Sequence, residues 1–264
     1  MNHVSNDQIR QNVRSRYKEI ALQEVETGSC CSPASSCCGS ADNVSSKLGY
    51  SSEELSSVPD GANLGLGCGN PQAIAELKPG EVVLDLGSGG GFDCFLASRQ
   101  VGETGRVIGV DMTPEMLSRA RRNAVKGGYT NTDFRLGEIE HLPVADQTVD
   151  VIISNCVINL SPDKQQVFHE AFRVMHHGGR LAISDVVMTA ELPVEIKNDL
   201  DVIYSGCISG ASSVEELKKM LTQSGFKDVT IELKEESRAF IKEWVPGSKA
   251  EDYIVSAVIK GIKP

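Results

Sequence analysis

Apolar and polar positions change period along the chain, and the changes mark its elements. Ile9, Val13 and Ile20 share one helical stripe, with Tyr17 filling it, so residues 6–26 are predicted helical. Residues 27–46 are a low-complexity run of Cys, Ser, Gly and Ala without an apolar period, predicted to be a mobile arm. Ser51-x-x-Glu54 reads as a capping box opening a short turn. Asn70-Pro71 reads as an N-cap followed by proline at the first helical position, with Ala73, Ile74 and Leu77 behind it.

From Glu81 onward the pattern alternates. Short β-branched runs at 82–87, 106–112, 133–139, 149–157 and 178–188 read as buried strands. Helical patterns fall between them at 93–101, from Thr113-Pro114 to Lys126, and from Ser161-Pro162 to Val174. This alternation implies a parallel sheet covered on both faces. Beyond Met188 the order loosens. Residues 193–204 look helical, 205–211 are small, and Ser213-x-x-Glu216 caps a helix to Ser224. The runs 228–233 and 253–262 read as a closing antiparallel pair. The expected division is 1–70 as helix and Cys-rich arm, 71–190 as a Rossmann-like ligand-binding domain, and 191–264 as the substrate side that completes the sheet.

Composition narrows the function. The 264 residues are 40% hydrophobic and 23% charged, with a net charge of −10. An acidic balance without Lys/Arg runs argues against nucleic acid and anionic membranes as partners. No signal-peptide core occurs in the first thirty residues and no apolar run approaches twenty, so a cytoplasmic protein is expected. In a reducing compartment the eight cysteines are buried hydrophobes, soft-ion ligands or reactive thiols rather than structural disulfides. Their spacing does not fit a zinc ribbon.

The stretch DLGSGGGFD (85–93) lies where the first strand of the alternation meets its helix. Gly87, Gly89 and Gly91 permit positive φ and a close ligand approach. The position after Gly91 is Phe92, which departs from the dinucleotide fingerprint, and Asp85 would oppose a pyrophosphate while accepting hydrogen bonds from an ammonium group. Asp111 closes the second strand 20 residues beyond Gly91, where an acid can take both ribose hydroxyls. Glu138 and Ile139, in GEIEHLP, are placed for an adenine edge and face. Together these motifs resemble class I S-adenosylmethionine (SAM)-dependent methyltransferases. That resemblance implies seven strands in the order 3-2-1-4-5-7-6. It also implies that SAM is held by Asp85, Gly87, Ser88, Gly89, Gly91, Asp111, Met112, Glu138, Ile139 and Asn155.

Cys68 in LGLGCGNP, Cys156 in SNCVINL and Cys207 in SGCISGA lie in segments that border the active-site mouth of this fold. Cys94, at the start of a helix, reads as structural. Converging thiolates suit a soft, thiophilic centre. With VLDLGSGGGFD and GVDMTPEML, these cysteine motifs resemble the arsenite methyltransferases over nearly the whole chain. That resemblance implies that Cys68, Cys156 and Cys207 bind trivalent arsenic. It further implies that an N-terminal cysteine joins thiol–disulfide steps, Cys38 being nearest the domain among Cys30, Cys31, Cys37 and Cys38, with a glutathione- or thioredoxin-like reductant. Leu66 stands where many members have an aromatic residue. A methyltransferase for a small organic acceptor such as a quinone, and a non-catalytic thiol protein for soft metals, remain alternatives. The histidines, Glu191 and Glu195 read as surface groups, Trp244 as packing or an active-site cover, and Asp185 as a structural hydrogen-bonding residue.

Overall fold

The computed structural model describes residues 5–23, 41–193, 208, 210–244, 247 and 249–264. Residues 194–204 of the expected helix, Glu195, Cys207 and the arm cysteines lie outside them. Helix α1 (Asn6–Leu22) opens on a reciprocal capping box between Ser5 and Gln8. Short helices α2 (Ala41–Lys47), α3 (Ser52–Ser56) and α4 (Gln72–Ala75) follow. The Ser51–Glu54 capping box is present; Asn70 accepts the backbone N–H of Ala73 (3.2 Å), but α4 begins at Gln72 with Pro71 and not Asn70 at its cap position.

The core alternates β1 (Val82–Leu86), α5 (Phe92–Val101), β2 (Arg106–Asp111), α6 (Pro114–Gly127), β3 (Thr132–Leu136), β4 (Val149–Asn155), α7 (Lys164–Val174) and β5 (Met175–Met188). A two-residue strand β6 (Ser212–Ser213) leads into α8 (Val214–Gln223), β7 (Lys227–Lys234), α9 (Arg238–Trp244) and β8 (Ile254–Ile262). The main sheet runs β3-β2-β1-β4-β5-β8-β7, and β6 pairs with the end of β5. With that short strand set aside, this is the expected seven-stranded order. The pairs β5–β8 and β7–β8 are antiparallel, as the late strands suggested.

Period-two alternation sorts the central strands between two layers. Leu84 and Leu86 join one buried cluster with Phe168 and Phe226, while Val83 on the opposite face joins another with Cys94, Phe95 and Leu117. Asp85 shares the face of Val83, and this sets it beneath α5. A third apolar cluster gathers Cys68 and Cys156 with Val186, Leu192, Ile208, Ala211, Ile241 and Ile254.

Several boundaries differ from expectation: α2 takes up the end of the expected arm, β3 stops at Leu136 and β5 begins at Met175, and two further differences have clear local reasons. Strand β4 stops at Asn155 because Cys156 takes a left-handed backbone, φ 60°, which a pleated strand cannot continue. Helix α7 starts at Lys164 because the Asp163 side chain, not Ser161, accepts the N–H of Gln166. No described helix is long and apolar enough to cross a membrane.

Burial ranks the stabilising contacts. Phe168→Ala, at a fully buried position, is expected to cost about 3–5 kcal/mol. Ser213→Ala, which removes the cap of α8, should cost about 1 kcal/mol. Urea unfolding that ranks them in the reverse order would refute this packing.

Candidate active site

A cleft opens at the carboxyl ends of β1, β2 and β4, the switch point where such sheets take their ligands. Counted with its open mouth it offers about 1110 Å³ of empty space, lined by Asp85, Ser88, Asp93, Asp111, Met112, Ile139, Asn155 and Cys156 among others. The glycine loop turns through positive φ at Gly87 (73°), Gly89 (50°) and Gly91 (93°). A Cβ on Gly89 would meet nothing within 4 Å, so the loop leaves open space where a ligand backbone or sugar can approach.

The cleft is rich in buried carboxylates. Asp111 accepts the N–H of Gly89 (3.0 Å) and of Thr113 (2.8 Å), which hold it at the end of β2. Burial pushes its carboxyl above the ordinary value against those two donors. Asp85 is pushed well above its ordinary range by burial and then by the charge of Asp93, although the Cys94 thiol donates to it at 3.2 Å. Burial and the Asp85 charge push the Cys94 thiol up in turn, so it stays a neutral thiol that donates a hydrogen bond to Asp85 and is a poor nucleophile. Asp93 accepts the Tyr50 hydroxyl (2.8 Å) and is pushed up to about 6, chiefly by burial. Three carboxylates so placed fit a ligand that carries positive charge, as the sulfonium and ammonium groups of SAM do. Asp93 and Tyr50 had no motif to reveal them. Their clue was only an acid at the mouth of the glycine loop and an aromatic residue before a capping box.

Asn155 joins this cleft to the thiols. Its Oδ1 accepts the N–H of Cys68 (3.0 Å), and its Nδ2 donates to Gly69 O (2.9 Å) and Tyr50 Oη (3.1 Å), with Asp93 Oδ2 at 3.3 Å. A Cβ on Gly67 would lie 2.6 Å from the Asn155 amide, and one on Gly69 2.8 Å from Ser184 Oγ. The glycines flanking Cys68 therefore exist because the loop passes directly over Asn155 and Ser184. Ser184 O accepts both the Cys156 N–H (2.8 Å) and the Cys68 thiol (3.6 Å). Cys68 is 1% and Cys156 3% exposed. The two sulfurs and an Asp185 oxygen lie within 4.8 Å of one another. Asp185 is pushed up to about 6, mainly by burial, and is held by the N–H groups of Ile158 and Val186 and the Asn159 amide. The expected hydrogen-bonding role is present, and so is a proximity to the thiols that the sequence did not reveal. Cys207 lies outside the described residues, but its neighbour Ile208 is fully buried in the same apolar cluster as both thiols.

Other expected residues fall as follows. Gly87, Ser88, Gly89, Met112 and Ile139 line the cleft. Leu66 also lines it and is 40% exposed. Glu138 is bound by Arg10 (3.3 Å) and Arg14 (3.2 Å) from α1 and is not among the cleft-lining residues. Glu140 lines the cleft instead, pairing with Arg10 at 3.1 Å and accepting the Ser161 hydroxyl at 2.8 Å. Arg10, Val13 and Tyr17 make α1 a wall of the cleft, a role its amphipathic stripe announced only as packing. His141, His169, His176, His177 and Glu191 are exposed, and Trp244 packs on the thiol cluster beside Phe240.

The strand order, the glycine turn and the acid at the end of β2 define a class I SAM-dependent methyltransferase. The profile of the family described as Methyltransferase domain matches residues 77–225. The chain belongs to the arsenite methyltransferase family. It is 51% identical to the arsenite methyltransferase of Halobacterium salinarum, with 98% of this chain and 67% of that protein covered. It is 41% identical to that of Aquipseudomonas alcaligenes, with 83% and 62% covered. It thus spans about two thirds of the length of these curated relatives. Among solved structures it resembles an arsenic(III) S-adenosylmethionine methyltransferase from Chlamydomonas reinhardtii, with a TM-score of 0.62, 34% identity, and 86% of this chain and 75% of that one covered.

Two expectations follow from the cleft. Arg10→Ala should weaken SAM binding by roughly fivefold, about 1 kcal/mol, whereas Arg106→Ala, which breaks the exposed pair with Asp133, should not; equal effects would remove α1 from the site. For Asp93, a carboxyl pushed up to about 6 in the ligand-free protein stabilises that protein below its unfolded value, and the contribution is lost as pH rises through about 6. A cationic ligand reverses this preference. SAM binding at pH 6 should therefore release protons, and affinity should fall as pH drops through 6. Calorimetry in two buffers of different ionisation enthalpy checks it, with Asp93→Asn reducing the release and leaving the part that Asp85 and Asp111 contribute.

Proposed function

We propose that this chain transfers a methyl group from SAM to trivalent arsenic held by cysteine thiolates. The observation that carries the reading is the juxtaposition of Cys68 and Cys156, with Cys156 lining the SAM-class cleft and the Cys68 loop fastened to the same Asn155 that faces it. The names of the relatives agree with arsenite as the acceptor. We assign SAM to Asp85, Asp111, Met112, Ile139, Asn155 and the Gly87–Gly91 loop, and we keep Glu138 as a residue that shapes the cleft through Arg10 and Arg14.

When bound, SAM supplies an electrophilic sulfonium methyl. The protein's own task is to present arsenic with its lone pair toward the cleft, which the thiolates do by taking the other positions on arsenic. Cysteines bind as thiolates, so their protons leave on arsenic binding. The lone pair forms the arsenic–carbon bond as the methyl–sulfur bond breaks, leaving S-adenosylhomocysteine and arsenic formally oxidised from the trivalent to the pentavalent state. No general base is required; positioning contributes roughly 7–11 kcal/mol in favourable cases. Two thiols then return arsenic to the trivalent state by forming a disulfide, which an external thiol reductant reopens, two glutathione-like thiols or one thioredoxin-like dithiol. The apolar cluster around the thiols keeps water from competing for the soft centre. We assign Cys207 as the third arsenic ligand, on the resemblance of its SGCISGA motif to the family, and Cys38 as the partner of Cys68 in the disulfide step. In this scheme residues 1–70 serve closure and thiol exchange, 71–190 the methyl donor, and 191–264 the acceptor. Such thiol chemistry suits a reducing cytoplasm.

Labelled SAM, arsenite and a thiol should yield labelled methylarsenicals, and Cys156→Ser should lower their formation by about 10–100-fold or more while leaving SAM binding intact. Methylation of arsenite at the parent rate by Cys68→Ser, Cys156→Ser and Cys207→Ser singly would defeat the assignment. Replacing Cys30, Cys31, Cys37 and Cys38 together with Ser should slow multiple turnover with glutathione more than it weakens arsenite binding; unchanged turnover would remove the arm from the cycle.

A further inference from the structure

The two described thiols of the proposed arsenic site have a carboxylate beside them. Cys68 Sγ, Cys156 Sγ and an Asp185 oxygen lie within 4.8 Å of one another, and all three residues are buried. Two sulfurs and a carboxylate make a poor set for a hard cation, which wants oxygen ligands, and a good one for a thiophilic divalent ion. Zinc-like tetrahedral sites need bonds of about 2.0–2.3 Å to each donor, so donors this close require only small shifts to share one ion.

The outer shell is built as well. Asp185 Oδ1 accepts the Val186 N–H (2.8 Å) and the Asn159 amide (2.8 Å), which occupies both of its in-plane acceptor positions. Oδ2 accepts the Ile158 N–H (2.9 Å), and the Asn159 backbone N–H also supports this carboxylate, so a bound ion would share Asp185 with its backbone donors. Asn159 also donates to Val186 O (2.7 Å), so the amide that orients the carboxylate is itself fixed. Cys68 is held from behind through its N–H on Asn155 and its carbonyl under the Ser256 hydroxyl. Such second-layer bonds are what ordinarily orient the ligands of a metal centre. One cation opposes occupancy: the field of Lys164 reaches Asp185.

We propose that Cys68, Cys156 and Asp185 form a binding site for a thiophilic divalent cation, Zn²⁺ or Cd²⁺, that excludes arsenite. The carboxylate separates the two ligands. Trivalent arsenic loses hydroxide to thiolates and ends as a neutral centre with a lone pair, and it gains little from an added anion. A divalent ion on two thiolates is already neutralised by them but still coordinatively unsaturated, and it gains a third bond from Asp185. Binding releases the two thiol protons to solvent, with no change of oxidation state. Removal of the Asp185 charge should therefore cost the divalent ion far more than arsenite.

The direct test needs neither SAM nor arsenite, so it stands apart from the methylation reading. In the full chain with Cys30, Cys31, Cys37 and Cys38 replaced by Ser, under a phosphine reductant, Cd²⁺ titrated alone should bind at one tight equivalent with a thiolate charge-transfer band. Cys156→Ser should abolish it, and Asp185→Asn should weaken it about tenfold or more. Zinc X-ray absorption on the same protein with Cys207→Ser added, so that the third thiolate assigned to arsenic is absent, should show two sulfur and two lighter neighbours. Asp185→Cys, a second variant that does not depend on the fit of the amide, should add a third sulfur. Three or four sulfurs in the unmodified site, unchanged Cd²⁺ affinity in Asp185→Asn, or no sulfur gained in Asp185→Cys would overturn the proposal. In the methylation assay, which rests on the arsenite reading, Zn²⁺ should raise the apparent KM for arsenite without changing kcat.

Discussion

The side-chain amide of Asn155 is the link on which the site depends. Placed at the last residue of β4, it accepts from the Cys68 backbone and donates to Gly69 and Tyr50, with Asp93 within reach. One planar group with a fixed number of donors and acceptors thus sets the loop that carries a thiol and the network that borders the methyl-donor cleft. The geometry tolerates little change, because the flanking Gly67 and Gly69 leave no room for a Cβ against Asn155 and Ser184. Directly after Asn155 the chain turns left-handed at Cys156, whose N–H meets the same Ser184 carbonyl as the Cys68 thiol. Two cysteines separated by nearly ninety residues are brought together by the end of one strand pair, β4 and β5.

Electrostatics divides the two halves of the site. On the cleft side, Asp85, Asp93 and Asp111 are all pushed toward protonation, with burial the leading cause. That is the condition of a site whose charge is completed by its ligand: a cation restores the carboxylates, and a product that has lost the sulfonium charge restores them less. On the thiol side the surroundings are apolar, built from Val186, Ile208, Ile241 and Ile254. Thiolates there are poorly solvated and gain more from a soft centre than they would in water. Asp185 is the polar exception in that cluster, and its three donors explain how a carboxylate stays there.

Helix α1 illustrates how far pattern reading reaches. Its stripe of Val13 and Tyr17 identified a packed face, and α1 does pack, but against the cleft, with Arg10 and Arg14 fastening it to the loop after β3. Which surface an amphipathic helix covers depends on the partner, and its own sequence does not contain the partner. The same holds for Glu138 and Glu140. They are two residues apart, yet only Glu140 lines the cleft, while Glu138 is held by the arginines.

The sequence by itself determined the alternating architecture, because strand and helix periods are local properties of side-chain direction. It determined the glycine turn and the acid closing β2, because both are contiguous with the elements that position them. It also marked the capping boxes of Ser51 and Ser213, which close within three residues. The resemblance of the cysteine motifs supplied the arsenic chemistry. Only the tertiary structure decided that Cys68 and Cys156 meet, that Asp185 meets them, and that Tyr50 and Asp93 share one hydrogen bond under Asn155. Those relations span from 29 positions (Cys156 to Asp185) to more than 100 along the chain. They exist because sheet order and a left-handed turn at Cys156 fold distant segments onto the same strand ends, which no local pattern encodes.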